Sequence, residues 1–463
     1  MSTLQWGGRF ASAPDAELLA FGSSLDVDLG IARWDVQCSH GHVVALHSGE
    51  IIGDADAEAL HDALAAVEAE IDDGSFDAWA KRGTFEDVHG AVDARVREHA
   101  GKTGELLHAG RSRNDQVATT LLLYARDTAA NGALACLDVA ALCADRAADA
   151  LAKQTLFAAT THWQPAQPVL LALWIDAVAQ GFVRAAERFA RVAADARRFC
   201  PLGSAALAGS SLPLDRAAAA QALGFDGPSH NALDSVGDRD VPLDLLHAAA
   251  RAAVAASRPS EELVIWATPA FGYIRLDDAA STGSSLMPQK RNPDPFELVR
   301  GFGARAIGAY AGALATVNGM ALSYHRDLQE TKAQVLAGVP PALAAVDAFR
   351  RAFAHVHFRH DTMNARAGDG YTVATDLADA VILAGATARE AHRAVGERVL
   401  LAEDHGRPLD RDDAVALGVP DAAVDARGSV LGKRTAGSTH PDSVAAAIAR
   451  TRHAIAALSE TLS

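Results

Sequence analysis

Cysteine is scarce: Cys38, Cys136, Cys143 and Cys200 are spread over 463 residues without CxxC spacing. No disulfide framework is implied, and the thiols read as reduced, in a reducing compartment. The start, MSTLQWGGRF, lacks a basic segment followed by an apolar run, and charges such as Asp176 interrupt the longest apolar stretches. Export and membrane insertion are therefore not expected, which points to a cytoplasmic protein. Positive charge is also short. The formal net charge of −16 argues against a nucleic-acid partner and keeps such a chain soluble, but an anionic substrate would then have to be met by local cations. Period-2 alternation is scarce throughout, which excludes a sheet-based fold.

What is present is helical period over a long chain. With 463 residues and 49% hydrophobic content, two or three domains are expected. In DADAEALHDALAAVEAEIDDG, Leu60, Leu64, Val67 and Ile71 fall on one helical face, with Asp at the start and Gly74 after the end. Two stretches, about 116–154 and 168–199, run without an internal proline and exceed ordinary helix length, with Pro168 suited to a first helical turn. A third, 242–267, carries Pro259 and is expected to kink near Arg258, and a fourth covers roughly 295–316. The fold class is all-α. Polar, Gly-containing stretches near 101–114 and 359–370 divide it into an N-terminal helical domain (1–110), a central long-helix bundle (111–363) and a C-terminal helical domain (364–463). The cluster CSHGHVVALH places Cys38 and His42 at i, i+4 beside His40 and His47, yet no matching ligand pair follows, so no metal site is expected.

Four polar islands interrupt the apolar helices: HAGRSRNDQ (108–116), TTHWQPAQP (160–168), STGSSLMPQKRNPD (281–294) and YHRDLQETK (324–332). Their cations, amides and hydroxyls outnumber their acids, an inventory suited to a substrate with carboxylates. Lysine usage sharpens this. Only six lysines stand against 36 arginines, and Lys290 and Lys332 fall inside these islands, where a compact ammonium suits a point contact to a carboxylate oxygen. In the third island Gly283 allows free bending, Ser284 and Ser285 can bring hydroxyls and N–H groups onto an anion, and Pro288 and Pro293 stiffen the ends. Such a loop serves equally as a closing lid or as a surface turn. The first two islands would begin consecutive long helices. Such helices run antiparallel, so the two islands would lie at opposite ends of a bundle on the order of 50 Å long, and a site using both would be shared between subunits of a homo-oligomer.

GSSLMPQKRNPD closely resembles the signature loop of the fumarase/aspartase superfamily, and Gln289 gives the form found in the argininosuccinate lyase family. HAGRSRNDQ, TTHWQPAQP and YHRDLQETK resemble that family's other motifs, in the same order, as do WGGRF near the start, NALDSVGDRD (231–240) and GSTHP (437–441). The resemblance implies cleavage of argininosuccinate into L-arginine and fumarate without a cofactor, by an all-helical homotetramer whose sites draw on several subunits. It places the acid and base roles on His162 and Ser284, in either order, with Lys290 and Asn292 stabilising the charge that develops on a substrate carboxylate. Substrate-binding roles fall on Ser24, Asn114, Thr161, Tyr324, Gln329 and Lys332, and Arg113 offers a bidentate carboxylate clamp. Asp87 and Asp115 could face the substrate's cationic groups, though capping or core pairing suits them as well. Three departures stand out: Asp93 where the family has Glu, Gly237 where Ser is common, and LVRGFGARAIG after the signature loop. GFGARAIG is no dinucleotide loop, because residue 306 is Ala and no strand precedes it. Rival readings are a superfamily lyase acting on another succinyl amine, and a catalytically silent crystallin-like protein, against which His162, Ser284 and Lys290 speak.

Overall fold

The computed structural model describes residues 15–462, so the WGGRF segment at residues 6–10 lies outside the described residues. The helices up to the first hairpin are α1 (Ala16–Gly22), α2 (Leu25–Asp28), α3 (Ala32–Ser48), α4 (Asp54–Asp73), α5 (Ser75–Ala80), α6 (Val88–Ala100) and α7 (Arg113–Ala152). Strands β1 (Leu156–Thr161) and β2 (Gln164–Leu170) lead to α8 (Leu171–Asp195), α9 (Arg216–Ala222), α10 (Ala232–Ser235) and α11 (Asp240–Trp266). Then come β3 (Ile274–Leu276), α12 (Asp294–Val317), α13 (Leu328–Ala354) and β4 (Val356–Phe358). The chain closes with α14 (His360–Ala365), α15 (Ala374–Leu383), α16 (Ala388–Asp404), α17 (Arg411–Ala416), α18 (Ala426–Gly432) and α19 (Pro441–Leu462). The fold is all-α, and among the described residues its strands are confined to two antiparallel pairs, β1–β2 and β3–β4.

Helix α4 shows how the pattern becomes structure. Leu60, Leu64 and Val67 are fully buried, Ile71 is half-buried at the helix end, and Gly74 stops the helix in the left-handed conformation (φ 78°), donating its N–H to Ile71 O. Helix α11 runs through Pro259, whose missing N–H leaves the Ala255 carbonyl without its i+4 donor, while the Ser260 hydroxyl donates to Ala256 O at 2.7 Å. Nearer the second island the expectation fails. Pro168 does not open a helix; it lies in β2, and α8 starts at Leu171. QPAQP contains two X-Pro pairs, and each proline pushes the residue before it into extended backbone, so the segment pairs as a strand instead. The first two islands thus do not both begin long helices.

The chain divides into two compact units. The first comprises the described residues up to Ala133, with Glu187–Arg251 and Phe302–Leu343; the second comprises Leu134–Ala186, Ala252–Gly301 and the described residues from Ala344. In the first, Cys38, Leu123, Cys200, Leu223 and Phe225 pack one core. Nearby, Asp35 on α3 binds His89 on α6 at 2.6 Å and accepts from Gln116 of α7 at 2.8 Å, fixing three helices by one buried carboxylate. Burial raises the Asp35 carboxyl, but His89, Arg111 and Gln116 outweigh it and hold it at about 2. In the second, Phe182, Phe296, Phe349 and Phe353 stack together, and Val373, Leu377, Ala391 and Val395 form a separate cluster under α15 and α16.

Candidate active site

In the first unit, the starts of α6 and α7 and the segment entering α13 surround a cavity of about 360 Å³. Arg113, Asn114, Tyr324, Gln329 and Lys332 all line it, bringing together five of the residues expected to bind substrate. Each cation there is built into the wall by an acid. Arg113 Nε meets Asp87 at 3.1 Å, Arg326 pairs with Glu86, and Lys332 Nζ meets Asp28 at 2.7 Å. Ser24, behind the cavity, donates to the same Asp28 oxygen at 2.6 Å, so its tie to the site runs through an acid that sequence reading passed over. Asp28 lies one helical turn after Ser24, a spacing that could have marked it.

The acids also shape the backbone. Asp87 caps α6 by accepting from Gly90 N–H at 2.7 Å; burial raises its carboxyl, but His89, Arg113 and that N–H together keep it below the usual range. Asp115 accepts from Ser112, Gly203 and Ala205 N–H groups at 2.8–3.0 Å, tying the 203–205 turn to the start of α7. Burial nevertheless pushes the Asp115 carboxyl up to about 6. Both acids therefore take the capping and core-pairing roles. His108, also on the wall, is held down at about 4 by burial and by Arg111, so it stays a neutral imidazole near pH 7. Asn114 donates to Ala206 O at 2.9 Å, and Gln329 to Gly22 O at 3.3 Å.

The Gly237 departure has a local cause here. A Cβ at residue 237 would lie 2.4 Å from Ser323 O, so glycine lets the 236–239 segment close against the backbone that carries Tyr324. Beneath it Arg239 is fully buried, donating to Val236 O and Asp238 O while Nε and Nη2 have no protein partner. Burial raises the Tyr324 phenol, and Arg239 and Arg326 pull against that shift. The other departures are structurally plain: Asp93 is buried and pairs with Arg97 along α6 at 3.1 Å, and 298–308 is regular helix within α12.

The remaining five residues belong to the second unit, on two separate elements. Thr161 and His162 are exposed at the tip of the β1–β2 hairpin, where Thr161 pairs with Gln164 and the two turn residues are His162 and Trp163. Both have positive φ, 55° and 61°, as a two-residue hairpin turn of the I′ kind demands; Asn or Gly normally supplies that, and a His–Trp turn is held at a cost of the order of 1–2 kcal/mol per residue. His162 is thus a hairpin-tip residue, correcting the helix-start position expected for it. Ala166 is bulged, because Ala159 pairs with Gln167 but Thr160 with Pro165.

Ser284, Lys290 and Asn292 share the loop before α12. Its root is closed by Thr282 and Asn292, which exchange two backbone bonds of 3.1 and 2.9 Å, and by a Thr282–Asp294 side-chain bond. Inside it, Ser284 Oγ accepts from Leu286 N–H at 3.3 Å and Met287 N–H at 3.1 Å. Two donors on one hydroxyl oxygen favour its deprotonated form. Lys290 is exposed and meets no carboxylate within ion-pair distance among the described residues. Gly283 adopts no left-handed backbone and a Cβ there would meet nothing within 4 Å, so this conformation does not itself require glycine. For the CSHGHVVALH cluster, His42 binds Ala109 O at 2.9 Å, His40 contacts His61 at 2.7 Å, and Cys38 is buried.

The lyase family model matches residues 8–308, and the argininosuccinate lyase C-terminal model matches residues 371–421. The argininosuccinate lyase of Acidothermus cellulolyticus is 38% identical over 472 aligned positions, covering 97% of this chain and 94% of that one. The argininosuccinate lyase of Maricaulis maris is 40% identical, covering 95% and 94%. Among solved structures, EDDS lyase in complex with formate superposes with a TM-score of 0.79 at 25% identity, covering 97% and 93%. A class II fumarase from Schistosoma mansoni shares the fold, with a TM-score of 0.69 at 15% identity over 84% and 87%. With two argininosuccinate lyases at 38–40% identity along nearly the whole sequence, the chain belongs to the argininosuccinate lyase family.

Proposed function

We propose that this chain splits argininosuccinate into L-arginine and fumarate by β-elimination across a C–N bond. The observation that carries the chemistry is Ser284 Oγ, which accepts two backbone N–H bonds within the signature loop. Stabilised in that way, the alkoxide takes the proton from the carbon beside a substrate carboxylate, and the charge moves into that carboxylate as an aci-carbanion. Lys290 and Asn292 supply fixed positive charge and a donor to it. The C–N electron pair leaves on the guanidine nitrogen, which takes a proton from His162 at the hairpin tip in the acid role, so arginine departs as a guanidinium of pKa roughly 12.5–13.8. Arg113, Asn114, Tyr324, Gln329 and Lys332 orient the substrate from the 360 Å³ cavity, with Thr161 beside the acid and Ser24 holding Asp28 against Lys332.

The protein works as a homotetramer with shared sites. In chain order, the island at 108–116 opens the 40-residue helix α7 and the hairpin that carries His162 follows it. Ala304, Ile307, Ala311, Leu314 and Ala315 leave an apolar stripe of α12 exposed on the single chain, a surface suited to helix packing between subunits. No helix among the described residues is long and apolar enough to cross a membrane, and all four cysteines are free thiols, consistent with a cytoplasmic setting. The domain division into 1–110, 111–363 and 364–463 is held as part of this reading.

The test follows the ultraviolet absorbance of fumarate's conjugated double bond on adding argininosuccinate, adenylosuccinate or aspartate in separate reactions. Rapid appearance with argininosuccinate alone is expected. Signal only with one of the other two would assign the chain to a different succinyl amine, and none with any would leave it a silent structural relative. Sedimentation combined with activity should find turnover only in the oligomer; a competent monomer would contradict the shared site.

A further inference from the structure

A second space, of about 150 Å³, lies in the second unit, and none of its lining residues belongs to the hairpin tip or to the signature loop. Arg146 and Asp149 reach it from α7, Lys153 from the turn just after that helix, His357 from β4 and His360 from α14. Four of these five titratable side chains are basic, in a chain whose net charge is −16. Arg146 is anchored: its guanidinium donates to the Phe353 and Val356 carbonyls and lies 4.7 and 5.1 Å from the Phe353 and Phe358 ring centres. Lys153 is not anchored by an acid. Its ammonium donates to His360 Nε2 at 3.3 Å, and among the described residues it meets no carboxylate within ion-pair distance. His360 Nδ1 is committed to Thr155 Oγ1 at 2.7 Å, which leaves Nε2 facing the lysine. A lysine turned onto an imidazole, beside a fixed guanidinium, gathers three basic groups on this space.

We propose that this space binds one tetrahedral oxyanion of the phosphate type, held by Lys153 Nζ and His360 Nε2 with Arg146 behind them. Cavities of about 150 Å³ take a single benzene-sized molecule, so an inorganic phosphate or the head of a small phosphomonoester fits and a whole nucleotide does not. The charged groups around it are Arg146 and Asp149 on α7, Lys153 in the turn after it, His357 on β4 with its partner Asp277, and His360 with Asp361 on α14. Asp149 opposes an anion, and burial together with Lys153 keeps His360 below the ordinary histidine range. A bound oxyanion reverses that bias, so His360 takes up a proton on binding and affinity rises as pH falls through the histidine range.

Calorimetric titration of the full-length protein with inorganic phosphate, near pH 6 and near pH 8, with excess fumarate present to occupy the active site, tests this. Saturable binding that is tighter near pH 6 is expected. The double variant Lys153→Ala, His360→Gln should weaken it at least ~10-fold, while Asp149→Asn should tighten it several-fold with turnover unchanged. Repeating the titration with glycerol phosphate distinguishes an ester from free phosphate as the preferred occupant, with the same dependence on Lys153 expected for either. Equal phosphate affinity in wild type and the double variant, or no gain in Asp149→Asn, would overturn the site. The gain expected of Asp149→Asn keeps the result independent of any folding defect in the double variant.

Discussion

Around the first-unit cavity every named cation is already paired, Arg113 with Asp87, Arg326 with Glu86 and Lys332 with Asp28, whereas in the second unit Lys290 is exposed and His162 sits on an exposed turn with a positive φ. The first region is rigid before any ligand arrives: its charges have been desolvated and oriented by folding itself, so a substrate is held without further ordering. The second region carries the groups proposed to react on short segments with few partners. Groups proposed to take and return protons on such tips gain their tightest hydrogen bonds once substrate is bound.

The largest expected effect breaks the first region. Asp28→Asn or Lys332→Met alone leaves a buried charge without its partner and should cost about 3–5 kcal/mol of stability in urea unfolding, whereas the double substitution should recover much of that loss. A single substitution as stable as wild type would mean that the pair contributes little to the wall. In the second region, Ser284→Ala and His162→Asn should each lower kcat by at least ~10²-fold while the unfolding midpoint barely moves. Near-normal turnover in either variant would remove that residue from the mechanism.

Acid should strike the first unit before the tips. The Asp35 carboxyl sits at about 2 instead of its ordinary 3.8, because His89, Arg111 and Gln116 overcome its burial. A depressed carboxyl stabilises the fold fully above about pH 4, and that stabilisation, roughly 2 kcal/mol, fades as pH falls towards 2. Chemical unfolding between pH 5 and pH 2 should show this slope in the wild type and a flatter one in Asp35→Asn. The smallest effect sharpens the comparison from the other side. Trp163→Gly relieves the positive φ of the second turn residue and should stabilise the protein by about 1 kcal/mol in thermal unfolding, with turnover intact, since the strain at the tip is separable from the chemistry there.

Much of this was legible beforehand. The apolar period gave the face of α4, the proline-free run gave α7, and the four polar islands held every residue given a catalytic or binding role but Ser24. What misled was local: TTHWQPAQP reads as a helix start because Pro is welcome in a first turn, yet two X-Pro pairs within five residues favour extended backbone, and β1 was available to pair with it. Glu86 and Arg239 went unnoticed because a lone acid or arginine has no sequence signature until its partner is brought near, whereas Asp28 carried one weak sign, its one-turn spacing from Ser24. Gly237 read as a departure from family usage. The fold shows a close backbone approach to Ser323 that no spacing could reveal.

By itself the sequence determined the all-α class, the family and the chemical inventory of the islands, since periodicity, motif and residue type are local properties of the chain. Tertiary structure alone decided which charges are neutralised within the wall, that His162 rides a hairpin tip, and that Ser284 Oγ receives two N–H bonds. Those depend on distances between residues far apart in sequence, or on backbone angles that competing local preferences leave open until the chain packs.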